Sequence, residues 1–331
     1  MVAKRYLVTG GSGFIGSALV RRLLADGAEV RVLDDESRGS PRRLAGIENE
    51  LEYVRGDVRD PQAVQKAVSG VDAVCHLACV NGTRYFYSKP EVVLEVGVKG
   101  IVNVIDACIS NGVGELILAS SSEVYQEPPE IPTAEDVPFS VPDPRNPRYS
   151  YAGCKQLSEL MVINYGRTHF ERCLIFRPHN VYGPDMGQEH VIPEFVTRMK
   201  TLVESGSTDS RFPIQGSGEE TRAFVYIDDF IDGLSLILEH GEHLGIYHIG
   251  TNEEITIRKL AILVGQYFNR EIEIVPGALA EGGTPRRCPS TAKLESFGYA
   301  PRIPIERGLA LTAEWYVSHA ADPAEPLRNT Q

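Results

Sequence analysis

"YLVTGGSGFIGSALVRRLL", residues 6 to 24, sets Gly10, Gly13 and Gly16 between an apolar run and a segment with helical spacing. The first glycine permits a tight turn, the second lets a diphosphate approach the backbone, and the third lets the helix pack on the strand. The start of the helix then offers free N–H groups and the positive end of its dipole to that diphosphate. A glycine triplet alone is a weak sign, because glycine is common in turns. Strand, triplet and helix in this order, opening a βαβ unit, make a dinucleotide fingerprint, with Phe14 and Ile15 inside it.

Outward from this stretch, six apolar runs alternate with helical segments as far as Pro178: "RYLVTG", "EVRVLD", "LEYVRGD", "DAVCHLA", "ELILASSS" and "RCLIFRP". Such alternation predicts a parallel sheet covered on both faces, hence a Rossmann-type, doubly wound α/β fold. The second run ends at Asp34, 18 residues past Gly16, where a carboxylate can accept from both ribose hydroxyls. Asp34, with Asp35 beside it, favours NAD over NADP, whose extra phosphate a carboxylate repels; Arg38 keeps NADP open. The plain alternative is that the two aspartates cap a turn. After Pro178 the pattern breaks into short helices, short strands and glycine turns. The expected division is a dinucleotide-binding domain over 1–180 with a return segment near 224–250, a smaller mixed α/β substrate lobe over 181–320, and a frayed tail at 321–331.

A chain of 331 residues can bury a large core, in one large or two unequal domains. Its net charge of −12 speaks against nucleic acid and against an anionic membrane surface. No apolar run has membrane-spanning length and "KRYLVTGGSGF" shows no signal-peptide pattern, so a cytoplasmic protein is expected. Six cysteines, at 75, 79, 108, 154, 173 and 288, form no CxxC pair and read as reduced, mostly buried thiols. Three ligands on a strand rarely converge, so Cys75, His76 and Cys79 make a poor zinc site, and no metal is expected.

A second stretch, "YSYAGCK" at 149–155, carries chemistry. Tyr151 and Lys155 are four apart and share one helical face, whereas Tyr149 has only Gly153 at that offset. A free tyrosine ionises at about pH 10 and is a poor base at neutrality. An ammonium one turn away and an oxidised nicotinamide both favour the phenolate, which can take the proton of an alcohol as its carbon gives up a hydride. "LASSSEVY" ends the fifth apolar run, at the carboxyl edge where open parallel sheets bind ligands, and its serines can hydrogen-bond the reacting hydroxyl. Between it and Tyr151 runs a long proline-rich loop, "QEPPEIPTAEDVPFSVPDPRNPRYS".

Together "TGGSGFIG", "GDVRD", "HLA", "SSSEVY", "YAGCK" and "RPHNVYGP" resemble the extended short-chain dehydrogenase/reductases that modify nucleotide sugars, in order and over nearly the whole chain. The resemblance implies tightly held NAD, a smaller lobe that grips a nucleoside diphosphate sugar, and a homodimer through helices near 90–111 and 151–169. By position it implies Tyr151 as catalytic acid/base, Lys155 as its partner and ribose ligand, and Ser121 as the catalytic serine. Asp57 and Val58 would flank the adenine, and Leu77 and Ala78 would line the pyrophosphate path. Ser122 would face the substrate, Asn180 and Arg222 its diphosphate, and Arg287 the same end; bidentate pairing suits arginine to that task. The chain departs from the family at Gln126, where glycine is frequent, at Cys154, where serine is common, and at Ser290, where many members carry aspartate.

The implied first step is removal of the proton on the carbon-four hydroxyl by Tyr151, with its hydride passing to NAD. An epimerase returns the hydride to the other face and needs little beyond Ser121, Tyr151 and Lys155. Glucose-type 4,6-dehydratases resemble Thr-Asp-Glu before "VY"; here Ser121, Ser122 and Glu123 keep the base and lack the usual acid. The same Ser-Glu pair resembles mannose-type dehydratases and nucleotide-glucuronate decarboxylases, so Glu123 is a candidate base, or else a solvated or capping carboxylate at a strand end. The expectation is an NAD-dependent nucleotide-sugar 4-epimerase, an isomerase, with a dehydratase or decarboxylase as the alternative. A non-enzymatic dinucleotide sensor on this fold commonly loses the Tyr–Lys pair, which this chain keeps.

Overall fold

The six apolar runs form six strands: β1 (Arg5–Thr9), β2 (Glu29–Asp34), β3 (Leu51–Arg55), β4 (Ala73–His76), β5 (Glu115–Ala119) and β6 (Arg172–Pro178). In the computed structural model, which describes residues 3–278 and 284–319, all pair in parallel. A seventh strand, Gly245–Ile249, returns from the second half of the chain to pair with β6. From that edge the order is seventh strand, β6, β5, β4, β1, β2, β3. This is the doubly wound sheet expected from the alternation. The order reverses direction between β1 and β4, and the carboxyl ends part there to leave a crevice.

Parallel neighbours need crossovers, and the helices that make them bury both faces of the sheet. On one face α1 (Phe14–Ala25) buries Leu19, Val20 and Leu23. On the other, the helix Gly100–Asn111 buries Ile101, Val104 and Ile105, and ends at Gly112, whose φ of 66° is the left-handed stop that glycine accepts without strain. The second half forms three small sheets and packs helices Val191–Glu204, Ile257–Tyr267 and Ile305–Ser318 together. One hydrophobic cluster runs without a break from Val8 and Leu19 under the sheet to Phe212, Leu260 and Leu309 in this lobe. Leu7, Val74, Ile105 and Leu116 belong to a separate cluster on the opposite face. The tail at 321–331 lies outside the described residues. No helix among the described residues is long and apolar enough to cross a membrane.

A charged network ties these parts together beneath the crevice. Arg177 of β6 is 2% exposed and donates Nε and Nη2 to Glu159 at 2.9 and 2.6 Å. Glu159 also accepts from the Ser120 hydroxyl after β5. Arg177 Nη1 reaches the Tyr125 hydroxyl and the Glu135 carbonyl, the latter at 2.9 Å, which pins the proline-rich loop. The Tyr125 hydroxyl lies 2.6 Å from His248 Nε2 on the returning strand. Removing one partner of a buried pair strands the other charge, at a cost of about 3–5 kcal/mol. Arg177→Ala is therefore expected to lower unfolding free energy by about that much in urea titrations. A loss below about 1 kcal/mol, the value of a surface pair, would refute the central role given to this residue.

Candidate active site

The crevice between β1 and β4 widens into a cleft of about 780 Å³. Helix α1 opens onto it with an amino terminus that no side chain caps, which leaves its N–H groups and dipole for an anion. Gly10 turns there at a φ of 71°, and a Cβ on it would stand 2.9 Å from Ala78 N. A Cβ on Gly16 would run into the Gly10 carbonyl. The floor is thus bare backbone, flanked by Gly13, Phe14 and Ile15 on one side and Leu77 and Ala78 on the other. Both of the latter give their N–H groups to the Thr9 hydroxyl at 3.2 Å.

At the far end Asp34 is buried and accepts N–H groups from Ser12 at 3.0 Å and Glu36 at 2.8 Å. Burial pushes its pKa up, and these bonds oppose the rise. An ionised carboxylate has lone pairs for two further donors, such as ribose hydroxyls. Asp35 turns back on Ser37, accepting from its N–H at 2.9 Å and its hydroxyl at 2.6 Å, and still lines the cleft. Val58 lines it as well. Asp57 is not among the lining residues; Arg59 holds its carboxylate, with Nη2 at 2.6 Å. A helix end ready for an anion, a glycine floor and a terminal carboxylate fit a dinucleotide.

The candidate reaction centre lies where β5 ends. Helix Tyr149–His169 starts two residues before Tyr151 and brings Tyr151 and Lys155 to the cleft, both buried. Lys155 Nζ stands 5.8 Å from the Tyr151 ring centre and donates to the Ala119 carbonyl at 2.6 Å. Phe86 stacks on the same ring, centre to centre 5.0 Å at 15°, and covers that face of it. Burial drives the Tyr151 phenol well above its ordinary value; Cys79 and Cys154 push the same way, and a hydrogen bond from Ser121 favours the phenolate without prevailing. The phenolate expected from Lys155 and an oxidised nicotinamide belongs to the protein with its dinucleotide bound. The ammonium is engaged by a backbone carbonyl, and in the protein alone desolvation wins.

Ser121 Oγ accepts from Glu123 N at 3.2 Å and so caps the short turn Ser122–Tyr125. Glu123 is neither solvated nor a cap. Its Oε1 accepts from Arg287 Nη1 at 2.6 Å, and Oε2 lies 3.9 Å from Arg148 Nη2. Burial works to raise its pKa, but Arg287, then Arg148 and Arg222, hold the carboxyl below the ordinary value. Ser122 and Arg287 line the cleft; Arg287 is further held by the Thr284 hydroxyl at 3.1 Å. Asn180, at a φ of 43°, lines it too and ties Nδ2 to the Ala223 carbonyl at 3.0 Å. Arg222 is outside the lining, bound to the carbonyls of Thr221 and Thr284 at 2.7 Å each. Burial, then Arg287, lower its pKa to about 10.

Two residues at this centre escaped the sequence reading. Arg148 precedes Tyr151 by three, a same-face spacing that could have flagged it. Phe86 sits in an aromatic run, "RYFYS", with no periodic signal for the ring it covers. His76 is turned inward to the Thr9 hydroxyl at 2.8 Å, and among the described residues no cluster could hold a metal ion.

Comparison with known proteins gives a consistent picture. The family model NAD dependent epimerase/dehydratase matches residues 6–250. A dTDP-glucose 4,6-dehydratase of Streptomyces venezuelae, solved with NAD bound, superposes with a TM-score of 0.84 at 33% identity, covering 95% of this chain and 97% of that one. The UDP-glucose 4-epimerase of Thermus thermophilus, also with NAD, gives 0.80 at 29% identity, covering 94% and 98%. UDP-glucuronic acid decarboxylase 4 of Arabidopsis thaliana is 31% identical over 93% of this chain and 67% of its own length.

A depressed carboxyl pKa stabilises the fold above the unfolded value, about 4.3 for glutamate, and that contribution is lost as pH falls through the folded value. The stability difference between wild type and Glu123→Gln is therefore expected to be full at neutrality and to shrink on acidification, read by urea unfolding across pH. A gap independent of pH would show that Glu123 is not held as the anion.

Proposed function

This chain belongs to the NAD dependent epimerase/dehydratase family, its dinucleotide is NAD, and we propose that it is a nucleotide-sugar 4-epimerase. The observation that carries this reading is the pairing of Glu123 with Arg287 at 2.6 Å. A carboxylate held below its ordinary pKa is a weak base, poorly suited to take a carbon-bound proton. What is left at the centre, Ser121, Tyr151 and Lys155, suffices for oxidation and re-reduction at one carbon.

Bound NAD supplies the acceptor, and later the donor, of a hydride. The chain's own work concerns the proton. Tyr151 Oη takes it from the carbon-four hydroxyl and gives it back to the same oxygen when the hydride returns to the carbon's opposite face, with Ser121 orienting that oxygen. Lys155 supports the phenolate, and Phe86 covers one face of its ring. Gly10, Gly13 and Gly16 would hold the dinucleotide's diphosphate, Asp34 its ribose and Lys155 the other ribose. Asn180, which lines the cleft, would meet the diphosphate of a nucleoside diphosphate sugar, while Arg287 stays with Glu123 and Arg222 backs it from outside the cleft.

A second reading is favoured by position. Glu123 lines the same cleft as Tyr151, and a substrate group that drew Arg287 away would restore its basicity. It would then act in a 4,6-dehydratase or a decarboxylase, activities named for two of the relatives above. Nucleotide sugars incubated with the enzyme in heavy water and read by mass spectrometry separate the readings. Unchanged mass, no solvent deuterium and a new retention time are expected, all abolished in Tyr151→Phe while NAD stays bound. Loss of water with deuterium taken up, or loss of carbon dioxide, would overturn the epimerase and install Glu123 as a working group.

We also propose a cytoplasmic homodimer. All six cysteines are free thiols, which supports a reducing compartment. Leu94 on helix Pro90–Leu94 and Leu157 and Leu160 on helix Tyr149–His169 are exposed at 41%, 39% and 48%. Apolar side chains gathered on these two helices support their use as an interface. Sedimentation at micromolar concentration is expected to show twice the chain mass, and a monomer would sink the dimer.

A further inference from the structure

Acids and arginines face each other across the cleft, beside the loop that follows β2. The loop that follows β2 carries Arg38, Arg42 and Arg43, and it runs against Asp34: a Cβ on Gly39 would stand 2.7 Å from Asp34 Oδ1. The segment "PDMGQEH" at 184–190, far along the chain, supplies the opposite charges. Glu189 Oε2 accepts from Arg38 Nη1 at 2.9 Å. Asp185 Oδ1 accepts from Arg42 Nη2 and from Arg43 Nη2, each at 3.1 Å. All five residues line the cleft.

The Arg38 pair is built in from both sides. Its guanidinium lies over the Tyr85 ring, 4.6 Å from the centre. Glu189 rests on Gly82, where a Cβ would run into its Oε2. The side chains of Arg38 and Glu189 are 29% and 12% exposed, those of Arg43 and Asp185 12% and 19%, so salt screens these pairs little.

A 2′-phosphate on the adenine ribose adds a charge of about −2 and needs an arginine beside the ribose to accommodate it. Three arginines stand in the neighbouring loop, yet the carboxylates of the distant segment neutralise them, and Asp34 and Asp35 add further negative charge. We propose that Glu189 and Asp185 are specificity-determining residues that make this cleft refuse NADP by holding the arginines of the ribose loop. The choice between dinucleotides is then made by two segments about 150 positions apart, as the separation of Arg38 and Glu189 (151) shows, and not by the end of β2 alone.

The test uses the full chain stripped of bound nucleotide, with NAD and NADP affinities measured by calorimetry for wild type, Glu189→Gln, Asp185→Asn and the double variant. Wild type is expected to prefer NAD by about 100-fold or more, and the double variant to gain about tenfold or more in NADP affinity with NAD little changed. Adding Arg38→Ala to Glu189→Gln should erase that variant's gain, because the freed guanidinium is then missing. An unchanged NAD to NADP ratio in variants whose melting shows them folded overturns the proposal. So does an equal loss of both affinities, which would make the segment a mere clasp. A wild type that binds neither dinucleotide would instead overturn the cofactor itself, a result distinct from an unchanged ratio.

Discussion

The buried pair between Arg177 and Glu159 is the constraint on which the site's geometry rests. Glu159 lies on the helix that carries Tyr151 and Lys155; Arg177 lies on β6. Taking two charges out of water is expensive, and such a pair holds only when its remaining hydrogen-bonding capacity is also met. Ser120, Tyr125 and the Glu135 carbonyl meet it here, and each belongs to a different part of the site's surround. The helix that carries Tyr151 and Lys155, the end of β5 and the proline-rich loop are thereby fixed relative to one another by a single satisfied network.

Burial organises the chemistry as much as it organises the fold. It raises the pKa of the Tyr151 phenol in the protein alone. The opposite holds at Glu123, where burial pulls toward the neutral acid and three arginines overrule it. Two ionisable groups in one cleft thus take opposite states for reasons that differ in kind: one is governed by solvent loss, the other by charge.

The strands of the first half could be read because β-rich apolar runs and glycine triplets are local signals, and all six runs became strands. Tyr151 and Lys155 could be placed for the same reason, since a four-residue offset on a helix is a local fact. What the sequence hid was pairing at long range. Nothing near Glu123 announces Arg287, 164 positions away, and nothing near Arg38 announces Glu189. The burial of Tyr151 and the bond from the Lys155 ammonium to the Ala119 carbonyl were hidden for the same reason, since a count of local charges holds neither. The role of the proline-rich loop was equally hidden: its anchors at Ala134 and Ser140 are backbone carbonyls that any side chain could have carried, and Glu135 adds a carboxylate that accepts from the distant His248 N at 3.0 Å.

The hydrophobic cluster that runs from Val8 and Leu19 to Phe212, Leu260 and Leu309 bears on how such a protein can be rebuilt. A lobe with a core of its own could be exchanged between relatives to transplant sugar preference, as a cartridge is exchanged. Here the seventh strand and the lobe's inner side chains are packed into one face of the sheet. A chimera cut at the sequence boundary would join two half-cores grown in different proteins, with mismatched volumes at close-packed density. Recombination of specificity in this chain has to proceed residue by residue at the cleft, or carry α1 and its face of the sheet along with the lobe.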